Sequence, residues 1–356
     1  MRRRLPAKTL AVLTIFVFGL IRLPLEQGME KELRDAHFRD SKLDLSMREK
    51  VGQAGFVAAL GGFRSLVASV MYLQAHVAFE EYEWAKVESY YSIITGLQPR
   101  TQHYWDAAHW HMAYNAYGYY MRTAANTKDE WDAWRMKTKD APYYLERGKE
   151  FLEEGLKFLP EDPEMYRLMG ELQRQKFDDN CAAADWFLEG SKLPKARSYL
   201  MRGYLYTISQ CKGREVEAYD ALKAAYWDGN DSPTVILGYE EKEDYFLRQE
   251  IAGKTEQELL KGVADMQGES YLPLARLARF YADQPSPPEE KLVALYGRIL
   301  KGPNAPEFYV KKFGIALSHV PGKEAQALDV LKGFLAKKIR NIYEDVEAAI
   351  KRLETL

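Results

Sequence analysis

His103, Asp106, His109 and His111 lie in one short stretch, and imidazoles beside a carboxylate are the donor set of a zinc site or of a His–Asp base pair. The spacing argues against the metal site. On one helix His109 and His111 diverge by about 200°, so they cannot share an ion. His103 and His111 fall on a common stripe with Ala107 and Asn115, but two helical turns separate them. No metal and no cofactor is therefore expected. Lying among Tyr104, Trp105, Trp110 and Tyr114, these histidines read as polar-edged core residues or as residues facing a partner. Tyr114, Tyr117, Tyr119 and Tyr120 extend the aromatic run, and rings at helical spacing more often pack than stack on a ligand.

Two other sets of reactive side chains deserve the same weighing. Cys181 and Cys211 are the chain's two cysteines, too few for a disulfide framework and without metal-ligand spacing. Stacked helix pairs hold equivalent backbones about 10 Å apart. A Cys181–Cys211 bond thus needs help from local geometry, with two buried thiols as the alternative. The acid pairs Asp178-Asp179 and Glu240-Glu241 read as turn or solvated-face residues. Asp228 to Asp231 lacks the length and the closing Glu of a calcium loop. HExxH, GxSxG, Walker and dinucleotide-binding signatures are missing. No catalytic residue is assigned, and the expectation is a protein that is not an enzyme.

The chain has 356 residues, is 47% hydrophobic and carries a formal net charge of −2. That is enough apolar content for a core, and the charge lacks the basic excess that nucleic-acid binding needs. At the N-terminus Arg2, Arg3, Arg4 and Lys8 precede an apolar run from Leu10 to Ile21. Residues 1–25 are read as an uncleaved signal anchor, with 9–25 in the membrane and the basic flank in the cytoplasm. A cleaved signal is the alternative, but no small-x-small site follows. Residues 26–48 form a charged spacer. The apolar stretch from Val51 to Leu73 reads as a buried helix pair, because Gln53, Arg64 and Gly61-Gly62 make a second span costly.

A thirty-odd-residue period organises the remainder. Tyr166, Met169 and Gly170 open one unit, closed by Ala183, Phe187, Gly190 and Pro194; Tyr199, Gly203 and Tyr206 open the next, followed by Ala218, Leu222 and Ala225. Small residues at such positions let two helices approach while a bulky ring fills the gap beside them. Looser units flank this pair. Trp105, Ala108 and Met112 open one that an insertion at about 123–142 lengthens, and residues of about 232–267 fit poorly. Within the latter, Ser232-Pro233 marks a helix start and Thr255 with Glu258 a capping box. The pattern resumes at Leu274, Leu277, Ala278 and Tyr281. The repeat array is thus placed at 49–340, with a final capping helix at 341–356.

On these residues the chain resembles bacterial membrane-anchored tetratricopeptide-repeat (TPR) proteins. The resemblance implies an all-α, TPR-like solenoid of antiparallel helix pairs behind a transmembrane anchor. It also implies a single-pass inner-membrane protein with a periplasmic body, scaffolding other proteins of an envelope assembly. Peptide clamps of this family that capture a C-terminal carboxylate use Lys and Asn on successive first helices, and that set is not found here. Partner-groove candidates are His103, Asp106, Trp110, Arg167, Glu171 and Arg202. A glycan- or lipid-binding module using the aromatic Tyr104–Tyr120 helix is the second reading.

Overall fold

The computed structural model describes residues 62–266, 268–336 and 342–355. Every regular element among them is helical. The chain divides into two compact units, Met1–Leu168 and Met169–Leu356, and within each the helices pack on their sequence neighbours as a helix-pair solenoid.

The described helices contradict the membrane reading. Among the described residues no helix is long and apolar enough to cross a membrane, and the proposed anchor, residues 1–25, lies outside them, as does the spacer, 26–48. The longest helix described, Pro233–Ile251, has 19 residues. It carries Glu240, Glu241, Lys242, Glu243, Asp244 and Arg248, which hydrocarbon would not accept. A transmembrane helix as part of the fold, a single-pass periplasmic topology and envelope partners inferred from it are accordingly set aside.

In the first unit, α1 (Arg64–Glu80) lies on α2 (Trp84–Leu97). Val67, Ala68, Ala75 and Ala78 are the buried side of α1, whereas Leu66, Val70, Leu73 and Val77 face outward. The stretch expected to be buried is thus buried on one side only where it is described. Next, α3 (Gln102–His109) runs through a π-helical segment, Trp110–Ala116, into α4 (Tyr117–Asn126). The Trp105 indole is buried and donates from Nε1 to the Pro99 carbonyl at 2.7 Å, fixing the entry of this helix against the preceding turn. The insertion is helical as well: α5 (Glu130–Arg135) continues as a π segment, Met136–Asp140, and then as α6 (Ala141–Phe158). Backbone contact sets the α6 packing. A Cβ at Gly148 would stand 2.8 Å from the Ala113 nitrogen, so no side chain fits there.

The division between units falls within α7 (Pro163–Leu172). In the second unit, α8 (Asn180–Ser191) pairs with α9 (Ser198–Gln210), and α10 (Glu215–Trp227) with α11 (Pro233–Ile251). The Phe187 ring shows why the repeat demands small residues. Cβ atoms built on Gly170 and Gly203 would each come within 2.9 Å of it, so the ring sits where two glycines make room. Asp179 caps α8 by accepting from the Ala182 amide at 2.8 Å. At the start of α11 Pro233 occupies the first turn, though the Ser232 side chain makes no capping bond. Thr255 and Glu258 form a full capping box on α12 (Glu256–Ala264). Then α13 (Leu272–Ala282) packs on α14 (Glu289–Ile299), and α15 (Phe308–Leu317) on α16 (Glu324–Leu335). Finally α17 (Glu344–Glu354) buries Val346, Ala349 and Leu353 in a cluster with Leu331 and Phe334 of α16.

Candidate interaction surfaces

His103 and His109 both lie near Asp106, while His111 is held apart from them. His103 is exposed, its ring centroid 6.0 Å from that of Tyr72 on α1. His111 lies between Phe79 and Tyr91, with centroids at 4.7 and 5.3 Å, and burial pushes its pKa down to about 4, helped by His76 nearby. His109 is buried, its Nδ1 3.5 Å from Asp106. Asp106 is pushed above the usual carboxylate range by burial, partly offset by the Arg167 charge. Arg167 itself holds Glu164, Nη2 to Oε1 2.6 Å. Trp110 is 50% exposed and stacked on Tyr114 at 4.3 Å. Among the described residues there is no group of three or more His, Cys, Asp or Glu that could hold a metal ion.

Of the six groove candidates, the structure brings Arg167 and His103 within electrostatic reach of Asp106 and leaves Trp110 exposed on Tyr114. Glu171 and Arg202 belong to the second unit, the former half-buried and the latter exposed. Most rings of the Tyr104–Tyr120 stretch are packing: Tyr119 lies on Tyr82 at 5.1 Å and Tyr120 on Tyr144 at 5.4 Å. Cys181 and Cys211 are joined by a disulfide with a Cα–Cα distance of 4.9 Å. The 10 Å stacking distance does not apply to them, because Cys211 ends the chain of α9 and turns back beside the start of α8.

Sequence reasoning missed the richest polar cluster, which α11 organises in the second unit. Glu240, assigned above to a turn or a solvated face, is instead on the helix and buried. It accepts from Lys311 Nζ at 2.8 Å. Asp244, one turn on, takes Lys312 at 2.6 Å and Arg279 at 3.2 Å. Burial alone would lower Lys311, but Glu240 and Asp345 outweigh it and hold the ammonium above its ordinary value. On another side of the same helix Glu243 is 1% exposed and accepts from the Tyr271 and Tyr309 hydroxyls, each at 2.7 Å. Burial pushes this carboxyl up, the two phenols oppose that, and burial wins. A usable signal was present: Lys311-Lys312 interrupts the apolar series Val310, Phe313, Gly314, Leu317, and a basic pair inside an apolar helix needs acidic partners.

Beside this cluster lies an open cleft of about 230 Å³. Leu292, Tyr296, Ile315 and Ala316 give it an apolar lining, and Glu240, Arg279, Lys311, Lys312, His319 and Asp345 give it charge of both signs. It draws on α11, α13, α14, α15 and α17, so successive helix pairs each contribute to one surface.

No family model matches the chain, and no curated protein matches it. The crystal structure of the P58(IPK) TPR domain is similar over 86% of this chain and 98% of that one, at 13% sequence identity and a TM-score of 0.28. A score that low carries no argument about this fold, which rests on the helix pairs themselves.

Proposed function

We propose that the chain is a protein-binding scaffold rather than an enzyme, and that the cleft between α13 and α15 holds a partner segment. The observation that carries this reading is the cleft's construction. Consecutive helix pairs line one concavity with apolar side chains and with charges of both signs, which suits an extended segment offering both apolar and charged side chains. Its small volume fits one or two side chains at a time, not a cofactor. In the first unit, the exposed His103 and Trp110 are proposed as further contact residues, with Asp106 and Arg167 as a charged pair beside them. Glu171 and Arg202 are proposed in the same role in the second unit. No observation specifically favours the glycan or lipid reading of the aromatic helix, since its rings are largely spent on packing.

The test is selection of binding peptides from a random library on the full-length chain, followed by photo-crosslinking of the tightest. Crosslinks should map to α13 and α15. Lys312→Gln and Glu289→Gln should each weaken binding about tenfold with the circular dichroism spectrum unchanged. Crosslinks confined to other faces, or no peptide recovered, would refute the proposal.

A further inference from the structure

A second concavity opens on another side of α11, away from the Glu240–Lys311 cluster. Two adjoining cavities, of about 410 and 310 Å³, share Lys223 and Leu272 in their linings. To the first, Trp227, Tyr239 and Tyr271 contribute aromatic walls and Glu269 a carboxylate. To the second, Tyr219 and Phe246 contribute rings, with Glu243 and Glu250 as the acids. Along α11, Tyr239, Glu243, Phe246 and Glu250 recur at helical spacing and form one stripe, while Glu240 and Asp244 each sit about 100° further round. The two clefts therefore belong to different faces of one helix.

Aromatic faces carry negative potential and attract cations, and desolvation strengthens the attraction. The chain already uses one of these rings so: Lys223 Nζ stands 5.2 Å from the Tyr219 centroid. Carboxylates outnumber that ammonium. Glu250 is engaged by Arg276, but Glu269 is exposed at the rim and Glu243 lies beneath, held by the two phenols. Trp227, at the end of α10, is 47% exposed at the mouth of the larger cavity. Rings on several sides with acids at rim and base make a receptacle for a positively charged, partly apolar group.

We propose that this aromatic–acidic cleft binds an organic cation, a guanidinium or ammonium on a short aliphatic stem. It takes that group either from an arginine or lysine side chain of a partner protein or from a free organic amine. The site is separate from the cleft between α13 and α15, so either can fail while the other stands.

The full-length chain is titrated by calorimetry with three capped tripeptides, Gly-Arg-Gly, Gly-citrulline-Gly and Gly-Glu-Gly, and with agmatine. Citrulline keeps the shape of arginine and removes its charge. The arginine peptide should bind at least about tenfold more tightly than the citrulline and glutamate peptides. Trp227→Ala and Glu269→Gln, both exposed and outside the core, should each weaken it several-fold, with the melting temperature held. Lys223→Met, which removes the resident ammonium but keeps its apolar stem, should tighten it. Glu289→Gln, in the other cleft, should leave it unchanged. Tighter binding of the peptide than of agmatine assigns the cleft to a protein side chain, and the reverse order to a free amine. Equal binding of arginine and citrulline, a preference for glutamate, no binding of any probe at millimolar concentration, or indifference to the cleft variants would each overturn the proposal.

Discussion

A neutral imidazole at His111 is part of how the first unit is packed. Its ring fills the space between Phe79 and Tyr91, and the Asn115 amide lies 3.3 Å from its Nδ1. With its folded pKa held down at about 4 by burial, the folded chain stays uncharged there while an unfolded chain takes up a proton below about 6.5. The sign follows from linkage. The contribution of His111 is complete above pH 6.5 and is lost as pH falls through the window from 6.5 to 4, where only the unfolded state binds the proton. Between pH 7 and pH 4.5 the wild-type chain should lose about 2 kcal/mol that His111→Phe does not. Denaturant unfolding of both chains at the two pH values measures it. Equal losses would show that His111 charges freely in the folded state. Composition could place this histidine among aromatics, but which ring nitrogen is sheltered depends on α1 and α2, whose approach no local pattern specifies. The same limit explains Glu240 and Glu243. Read locally they are acids in a charged run, and only the arrival of Lys311 and Tyr309, far along the chain, makes them interior groups.

At the scale of elements, the disulfide ties the start of α8 to the end of α9 across a sequence separation of 30. Closing a loop of that length removes unfolded-state freedom worth about 3–4 kcal/mol in the chain-entropy account. Cys181→Ser with Cys211→Ser should therefore lower the unfolding free energy by that order, and reduction of the wild-type chain should reproduce the loss. A melting temperature indifferent to both would mean that the bond does not form in the protein as isolated. Helix starts were readable because their chemistry is local: Thr255 and Glu258 do form a reciprocal box. The π-helical segments were not. At Trp110–Ala116 an extra residue enters the turn, and the gain comes from side chains packed by neighbouring helices, which periodicity alone does not show.

For the molecule as a whole, the repeat signal was legible because it is a packing rule written in residue sizes, and Phe187 between Gly170 and Gly203 is that rule in three dimensions. The membrane tether was a different kind of inference, resting on a terminal apolar run rather than on the repeats, and the helices described give it no support. A stack in which each helix pair touches mainly its neighbours has a mechanical consequence within the second unit. Strain at one pair should weaken that neighbourhood before it reaches distant pairs, as in a one-dimensional array. Gly203→Ala supplies the strain, since the new Cβ would sit 2.9 Å from the Phe187 ring. Alanine gains about 1 kcal/mol in helix propensity, and overpacking costs about 1–3 kcal/mol, so the net effect should be destabilising by about 1 kcal/mol. Adding Phe187→Leu should recover part of the loss by clearing the ring, even though Phe187→Leu alone destabilises. Native-state hydrogen exchange of Gly203→Ala should then show faster opening across α8, α9 and α10, with α15, α16 and α17 keeping wild-type protection. Uniform loss of protection along the unit would show instead that the Glu243–Tyr309 bond and its neighbours, which tie α11 directly to α15, make the whole stack unfold as one body.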